Sequence, residues 1–162
     1  MKNFDYELYK SLQNGESTLD WLKMCEKCYH EYLLCCSSLS SRFTDWYDKG
    51  GFHDATLKGV YSKIDKSNWS TTIVLEKWML GRVSTIFLNY KDVANFSIKK
   101  NIEGVFKGEH ETCLYDEFYR SPHNEKKIVH EFFTSNDTFF YLEFTKMTCV
   151  IKNVKFNEIT KK

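Results

Sequence analysis

The sequence predicts an α+β fold in which N-terminal helices pack on a strongly twisted antiparallel sheet of six to eight strands. Two observations indicate this fold. Apolar residues follow the helical period of 3.6 up to about residue 50 and the strand period of 2 beyond it. The β-rich segments also lie too close together for helical crossovers, so neighbouring strands are expected to be antiparallel. The sheet could also curl into a partial barrel with the helices at one end.

Two or three helices are expected in the first third of the chain. Within residues 18–36 the apolar side chains, four cysteines among them, fall on one side of a helix and the charged side chains fall on the other. A shorter helix around residues 6–12 precedes it, and aromatic residues within 43–47 indicate one or two further turns. Gly50 and Gly51 end the helical part, because glycine adopts positive φ without steric strain.

The remaining residues are rich in β-branched and aromatic side chains, with turn-forming residues between the runs. Strands are expected over residues 55–64, 69–80, 82–90, 112–120, 126–134, 138–144 and 148–156. Residues 95–111 are interpreted as a short strand and a long connection. The chain of 162 residues is predicted to form a single domain with its own core. Residues 1–50 are its helical part and residues 51–160 its β part.

Composition excludes several classes of partner. The net charge of +1, from 23 basic and 22 acidic residues, lacks the basic excess of nucleic-acid-binding proteins. No stretch approaches the roughly 20 apolar residues of a membrane-spanning helix. Residues 1–15 also lack the apolar core of a signal peptide. The sequence therefore predicts a cytoplasmic protein without nucleic-acid or membrane partners, in which the six cysteines are reduced thiols.

Cys25 and Cys28 have the C-x-x-C spacing that occurs in zinc and redox sites. A structural zinc site needs a second pair of ligands with suitable spacing, and a thioredoxin-like motif follows a strand. Neither condition is met here. Because these cysteines fall on the apolar side of the predicted helix, buried structural thiols are the favoured interpretation. A metal site and a redox pair remain as alternatives.

His53 and Asp54 form the only His-Asp dipeptide in the chain, a pair that can move protons or bind metals. A metal site needs three or four convergent ligands, and His30 is the only histidine upstream. The residues that follow are expected to be a strand. We therefore predict a structural role at the start of that strand, with no metal and no cofactor.

A third group of chemically active residues lies within 109–125: Glu109, His110, Glu111, Asp116, Glu117 and His123. General acid–base catalysis needs a pair of such groups held together in a cleft. Asp116 and Glu117 are neighbours on a predicted strand, so they should point to opposite faces. No P-loop, dinucleotide-binding, serine-hydrolase or zinc-protease motif occurs. The sequence therefore favours a role without catalysis.

Aromatic residues make up 17% of the chain, which is unusually high. On the predicted strand 138–144, the better core face carries Phe140, Leu142 and Phe144. On the predicted strand 112–120, the better core face carries Phe118 together with Leu114 and Asp116. The opposite faces carry Cys113, Tyr115, Glu117, Tyr119, Phe139 and Tyr141. The tyrosines and Phe139 must be covered by the helices, by a partner or by water. Tyrosine is common at protein interfaces, because it buries a large ring and keeps a polar tip.

The segment FHDATL at residue 52, the strands that follow and the segment CLYDEFYR at residue 113 resemble a group of small uncharacterised bacterial proteins. Those proteins carry a Phe/Leu-His-Asp-Ala/Ser motif where an antiparallel sheet begins, and the resemblance covers roughly residues 52–150. Some of them are immunity proteins that neutralise toxins. The resemblance implies a non-enzymatic bacterial domain that binds and blocks a partner.

These observations predict a non-enzymatic cytoplasmic protein-binding module, an immunity protein that occludes a toxin being one form of it. The partner would be another protein or a second copy of this chain. The candidate binding residues are His53, Asp54, Tyr115, Tyr119, Phe139 and Tyr141. The alternative is a small-molecule binder or enzyme with a pocket between helices and sheet. Its mouth would be formed by His53, Asp54 and His130.

Overall fold

A computed structural model describes residues 1–15, 18–79, 82–100 and 111–154. Three α-helices come first: α1 (Tyr6–Gln13), α2 (Thr18–Cys35) and α3 (Ser41–Tyr47), with a short 3-10 helix (Cys36–Ser38) before α3. The Asp5 carboxylate caps α1 by accepting hydrogen bonds from the backbone N–H groups of Glu7 and Leu8. The helices therefore lie where the sequence predicted them.

Eight strands follow the helices: β1 (Thr56–Asp65), β2 (Asn68–Met79), β3 (Arg82–Lys91), β4 (Asn95–Lys100), β5 (Cys113–Arg120), β6 (Ile128–Thr134), β7 (Thr138–Phe144) and β8 (Lys146–Val154). All the pairs between these strands are antiparallel. The predicted α+β class is confirmed. The strands divide between two open sheets of four, however, where the sequence predicted one sheet. The first sheet has the order β1-β2-β3-β8, and the second has the order β4-β7-β6-β5.

Two chain bends at one corner of the molecule separate the sheets. Between β3 and β4 the chain turns at Asp92, whose φ is +52°. Between β7 and β8 it turns at Thr145, whose N–H donates to the carbonyl of Lys91 at 3.2 Å. The N–H of Ala94 donates to the carbonyl of Glu143 at 2.7 Å. The β3-β8 pair thus passes into the β4-β7 pair around this corner.

The main core fills the space between the two sheets. The first sheet contributes aliphatic side chains such as Ile73 and Leu88, and the second contributes rings such as Phe132 and Phe144. From the helices, Tyr32, Cys35, Phe43 and Trp46 pack into the same core. The helical part and the β part therefore share one hydrophobic core.

The second sheet is covered on its other face as well. Phe4 lies 4.4 Å from Tyr115 and 4.8 Å from Phe133 between ring centroids, and Tyr9 packs edge-on against Phe133 at 5.2 Å. Met24 and Cys28 of α2 join the same cluster. The sequence left open whether the helices, a partner or water covers this face. In the structure, the N-terminal segment and the helices cover it.

Helix α2 runs along β5, the edge strand of the second sheet. The Arg120 side chain of β5 donates to the carbonyl of Leu34 at 3.0 Å. The pairing of β5 with β6 is irregular between Cys113 and Tyr115. As a result Cys113 packs in the main core and Leu114 packs against the N-terminal cluster. This corrects the predicted faces, because an irregularity reverses the side-chain alternation on one side of it.

Candidate functional site

A cleft of about 310 Å³ lies between α2, the segment that joins α3 to β1, and strand β5. Five aromatic rings line it: Tyr29, Tyr32, Tyr47, Phe52 and Tyr115. The thiols of Cys25 and Cys28, the imidazole of His53 and the carboxylate of Asp116 complete its polar lining. The cleft is at the lower end of the size range of small-molecule sites, and its largely aromatic lining is typical of such sites.

The helical period and two glycines bring these residues together. Cys25, Tyr29 and Tyr32 recur every three or four residues, so they share the side of α2 that borders the cleft. Gly50 has a φ of +72°, which allows the chain to turn back after α3. A Cβ atom on Gly51 would lie 2.4 Å from the indole ring of Trp46, so this close approach requires glycine.

His53 lies at the rim of the cleft, and Lys77 holds the segment that carries it. The Lys77 ammonium donates to the backbone carbonyl of His53 at 2.6 Å and also to the carbonyl of Gly50. His53 Nδ1 lies 2.8 Å from Asp54 Oδ2, and both side chains are well exposed. Asp54 is not among the lining residues. Its N–H donates to the carbonyl of Cys113, which ties the start of β1 to β5.

Asp116 connects the cleft to a buried polar chain. Its Oδ2 lies 3.3 Å from His130 Nε2, and the carboxylate is close enough to Tyr47 to raise the pKa of that phenol. His130 Nδ1 is in turn 2.8 Å from the hydroxyl of Tyr90. The imidazole ring stacks on Phe118 with 3.9 Å between ring centroids. His130 thus lies fully buried behind Asp116, and not at the mouth of a pocket where the sequence placed it.

Burial keeps the groups around Asp116 neutral. It lowers the pKa of His130, and the carboxylate of Asp116 only partly offsets this effect. Burial, and then the charge of Asp116, raises the pKa of Tyr47 well above its ordinary value. Burial also raises the pKa of Cys28 to about 12. At neutral pH the cleft therefore presents neutral hydroxyl and thiol groups around the one acidic residue that lines it.

The six predicted binding residues do not converge on one site. His53 and Tyr115 line the cleft, whereas Tyr119 is buried and donates to Glu131 at 2.8 Å. Phe139 and Tyr141 line a smaller cavity of about 200 Å³ near the start of the chain. A binding role for these residues stays a prediction.

The acidic and histidine residues of 109–125 are likewise dispersed. Glu117 lies on the face opposite to Asp116, as the alternation predicted, and accepts a hydrogen bond from the N–H of Asn3 at 3.1 Å. Glu111 accepts from the hydroxyl of Thr134 at 2.8 Å. Glu109 and His110 lie outside the described residues. Within the part of the chain that the structure describes, no three His, Cys, Asp or Glu side chains are placed to hold a metal ion.

The outer face of the first sheet is a second candidate surface, which we call the open face. Its apolar residues are Tyr61, Val74, Trp78, Val83, Phe87 and Val150. Tyr61 is 64% exposed and Val150 is 41% exposed. Lys63, Lys91, Lys146 and Lys152 belong to the same face, together with the acidic residues Asp65 and Glu76. Glu76 is paired with Lys58 at 3.2 Å, so its charge is already compensated.

The six cysteines are free thiols. Among the described helices, none has the length and apolar character needed to cross a membrane.

The sequence did not single out Tyr29, Tyr47 or Phe52 as site residues. They come from three separate segments, and only the folded chain places them around Asp116. The open face was missed because its exposed valines and rings belong to strands that read as core. One sequence pattern could have indicated the open face. Along β3 and β8, lysines and threonines alternate with buried residues, which is typical of a strand with one solvent-facing side.

The fold and these two surfaces define an α+β protein with two open antiparallel sheets, an aromatic cleft with an acidic residue and an exposed sheet face. No family model, curated protein or solved structure matches this chain.

Proposed function

We propose that the protein is a non-enzymatic binding module that docks a partner protein on the open face of the first sheet. The observation that carries this proposal is the exposure of large apolar side chains on that face, with Tyr61 and Val150 as examples. Sheet faces of single-domain proteins are usually covered or polar, and contiguous exposed apolar patches mark interaction sites. Aromatic residues are enriched at the centres of protein interfaces.

The charges around the apolar centre specify the chemistry of the partner. Four lysines and two acidic residues point outward on the open face, and one of those acids, Glu76, is already paired with Lys58. Lys63, Lys91 and Lys146 lie in one row across the sheet, and Lys152 lies over the ring of Phe87. The face therefore presents a basic rim at one end of its apolar side chains. A partner with an apolar centre and an acidic rim would be complementary, and such complementarity speeds association and selects partners.

An immunity protein of the kind that the sequence resemblance implies is one form of this function. It would act in the cytoplasm by covering the working surface of a toxin. The basic rim then favours a toxin whose covered surface is acidic. Free thiols are compatible with a reducing compartment.

In the experiment, the wild-type chain and two variants are used as bait to capture proteins from a lysate of the source organism. Each variant replaces one exposed apolar residue with glutamate. Val150→Glu places a negative charge next to Phe87 on the open face. Leu22→Glu places the same charge at a somewhat more exposed apolar site on α2. A protein that the wild type and L22E capture, and V150E does not, is then produced in pure form and its affinity is measured.

The expected result is an affinity for V150E at least ten-fold weaker than for the wild type, with L22E unchanged. The affinity should also fall as salt is added, because the lysine rim contributes charge attraction. The proposal is wrong if purified candidates bind V150E as tightly as the wild type. It is also wrong if light scattering shows that the open face serves only to join two copies of the chain, or if only nucleic acid binds there.

A further inference from the structure

We infer that the cleft between α2 and β5 is a binding site for a small organic cation, such as an alkylammonium or guanidinium group. This site is separate from the open face and does not depend on the function proposed for that face. Three features carry the inference: five aromatic rings that line the space, a largely buried carboxylate in the same lining, and the lack, among the described residues, of a lysine or arginine paired with that carboxylate.

Three of the five rings contact one another in sequence along one side of the cleft. The centroids of Tyr29 and Tyr32 are 5.9 Å apart, and those of Tyr32 and Tyr47 are 4.6 Å apart. Phe52 and Tyr115 line the same space. The face of an aromatic ring carries negative potential and attracts a cation within about 6 Å of its centroid. Several rings around one space therefore favour a positively charged guest with apolar substituents.

Asp116 supplies the charge that such a guest needs. Its side chain is only 9% exposed and lines the cleft. Its Oδ2 is buried and accepts no hydrogen bond, and its neighbour at 3.3 Å, His130, has a pKa that burial lowers. Among the described residues, no lysine or arginine forms an ion pair with Asp116. A carboxylate so far withdrawn from water interacts more strongly with a cation than one at the surface.

Other classes of guest fit less well. No lysine or arginine lines the cleft, so an anion would meet Asp116 without a compensating charge. A metal ion would require further oxygen, nitrogen or thiolate ligands, whereas burial keeps Cys25 and Cys28 protonated by raising the pKa of each thiol. A volume of about 310 Å³ accommodates an organic cation of a few heavy atoms with its substituents.

The test measures binding of choline, butylammonium and methylguanidinium by calorimetry and by amide chemical shifts of the full chain. 3,3-Dimethylbutan-1-ol serves as the uncharged isostere of choline, and acetate serves as the anion. At least one cation should bind ten-fold or more tightly than the uncharged alcohol, with shifts confined to residues around the cleft. Equal binding of choline and the alcohol would overturn the inference, as would the absence of any cation-dependent shift there.

Two variants assign the binding to the cleft. Asp116→Asn keeps the shape and removes the charge, and it should weaken cation binding at least ten-fold. Tyr29→Ala removes a ring that is 53% exposed, so the fold should tolerate it, and it should weaken binding about three-fold. Tyr61→Ala, which removes an exposed tyrosine on β1, is the control and should bind as the wild type does. If D116N does not fold, unchanged binding by Y29A alone would still contradict the inference.

Discussion

The two sheets of this protein differ in how many of their faces are buried. In β3 of the first sheet, buried residues such as Ile86 and Leu88 alternate with half-buried ones, so one face meets the core and the other faces outward. In β6 of the second sheet, six of the seven residues are buried. Among the described residues, the second sheet is enclosed between the first sheet and the N-terminal segment, whereas the first sheet is covered on one face.

This difference also determines where polar side chains need partners. Glu117 is buried and accepts from the N–H of Asn3, and Nδ1 of the buried His130 is paired with the hydroxyl of Tyr90. His130 Nε2 and Asp116 Oδ2 lie 3.3 Å apart without a hydrogen bond. Buried polar groups without such partners would destabilise the fold. On the outer face of the first sheet, threonines and lysines can be hydrated instead. The outer face of the first sheet can therefore carry polar side chains without protein partners, whereas the second sheet needs partners for the polar groups that it buries.

The sharpest test of this contrast removes the same ring from the outer face of each sheet. Phe133 of β6 is fully buried, and Phe87 of β3 is half-buried. Phe133→Ala should lower the free energy of unfolding by about 3–5 kcal/mol, because it leaves a cavity among rings. Phe87→Ala should lower it by about 1 kcal/mol, since water can fill the space. Urea denaturation measures both values, and equal losses would show that the two faces are equally covered.

A second test opens the cover of the second sheet. Phe4 stacks on Tyr115 and is itself buried. Phe4→Ala should lower the free energy of unfolding by about 3 kcal/mol. It should also raise amide hydrogen exchange in β5 and β6 while leaving β2 and β3 unchanged. Faster exchange in all four strands to the same extent would mean that the segment stabilises the whole fold and not one face.

Much of the fold could be predicted from the sequence, because it depends on local periodicity. The helix expected over residues 18–36 is observed at Thr18–Cys35, and the strand expected over 138–144 is observed with the same bounds. The irregularity at Leu114 could not be predicted, because a single extra residue leaves the local composition unchanged. The division into two sheets likewise depends on bends at Asp92 and Thr145 that carry no strong turn signal.

The candidate sites were harder to predict than the fold. His53 stood out in the sequence because of its neighbour Asp54, yet it lies only at the rim of the cleft. For Asp116 the strand pattern predicts no partner on its own face. Its surroundings come from α2, from the end of α3 and from β6, so the convergence is a property of tertiary packing. Single-sequence patterns carry no information on that packing.

The buried imidazole of the second sheet predicts how stability depends on pH. Burial lowers the pKa of His130 in the folded chain, so below about pH 6.5 the unfolded chain binds a proton more readily than the folded one. This contribution to stability is present at neutral pH and is lost as the pH falls. His130→Gln should lower the free energy of unfolding by about 1–3 kcal/mol at pH 8, because it leaves Tyr90 without its partner.

The deficit of H130Q relative to the wild type should shrink between pH 7 and pH 5, since the variant lacks the titrating group. His123→Gln, which changes an exposed histidine, is the control and should track the wild type at every pH. Urea titrations across this pH range measure the three curves. A deficit that stays constant or grows towards pH 5 would contradict a neutral His130 in the folded state.

The smallest effect is expected on the open face. Val150 points outward from β8, while its neighbour Cys149 points into the core. Val150→Thr keeps the β-branched shape and adds a hydroxyl that water can solvate, so the free energy of unfolding should change by less than about 0.5 kcal/mol. A loss above 1 kcal/mol in urea denaturation would show that this residue is packed against another part of the chain. The part of the open face around Val150 and Phe87 would then already be occupied and could not contact a partner.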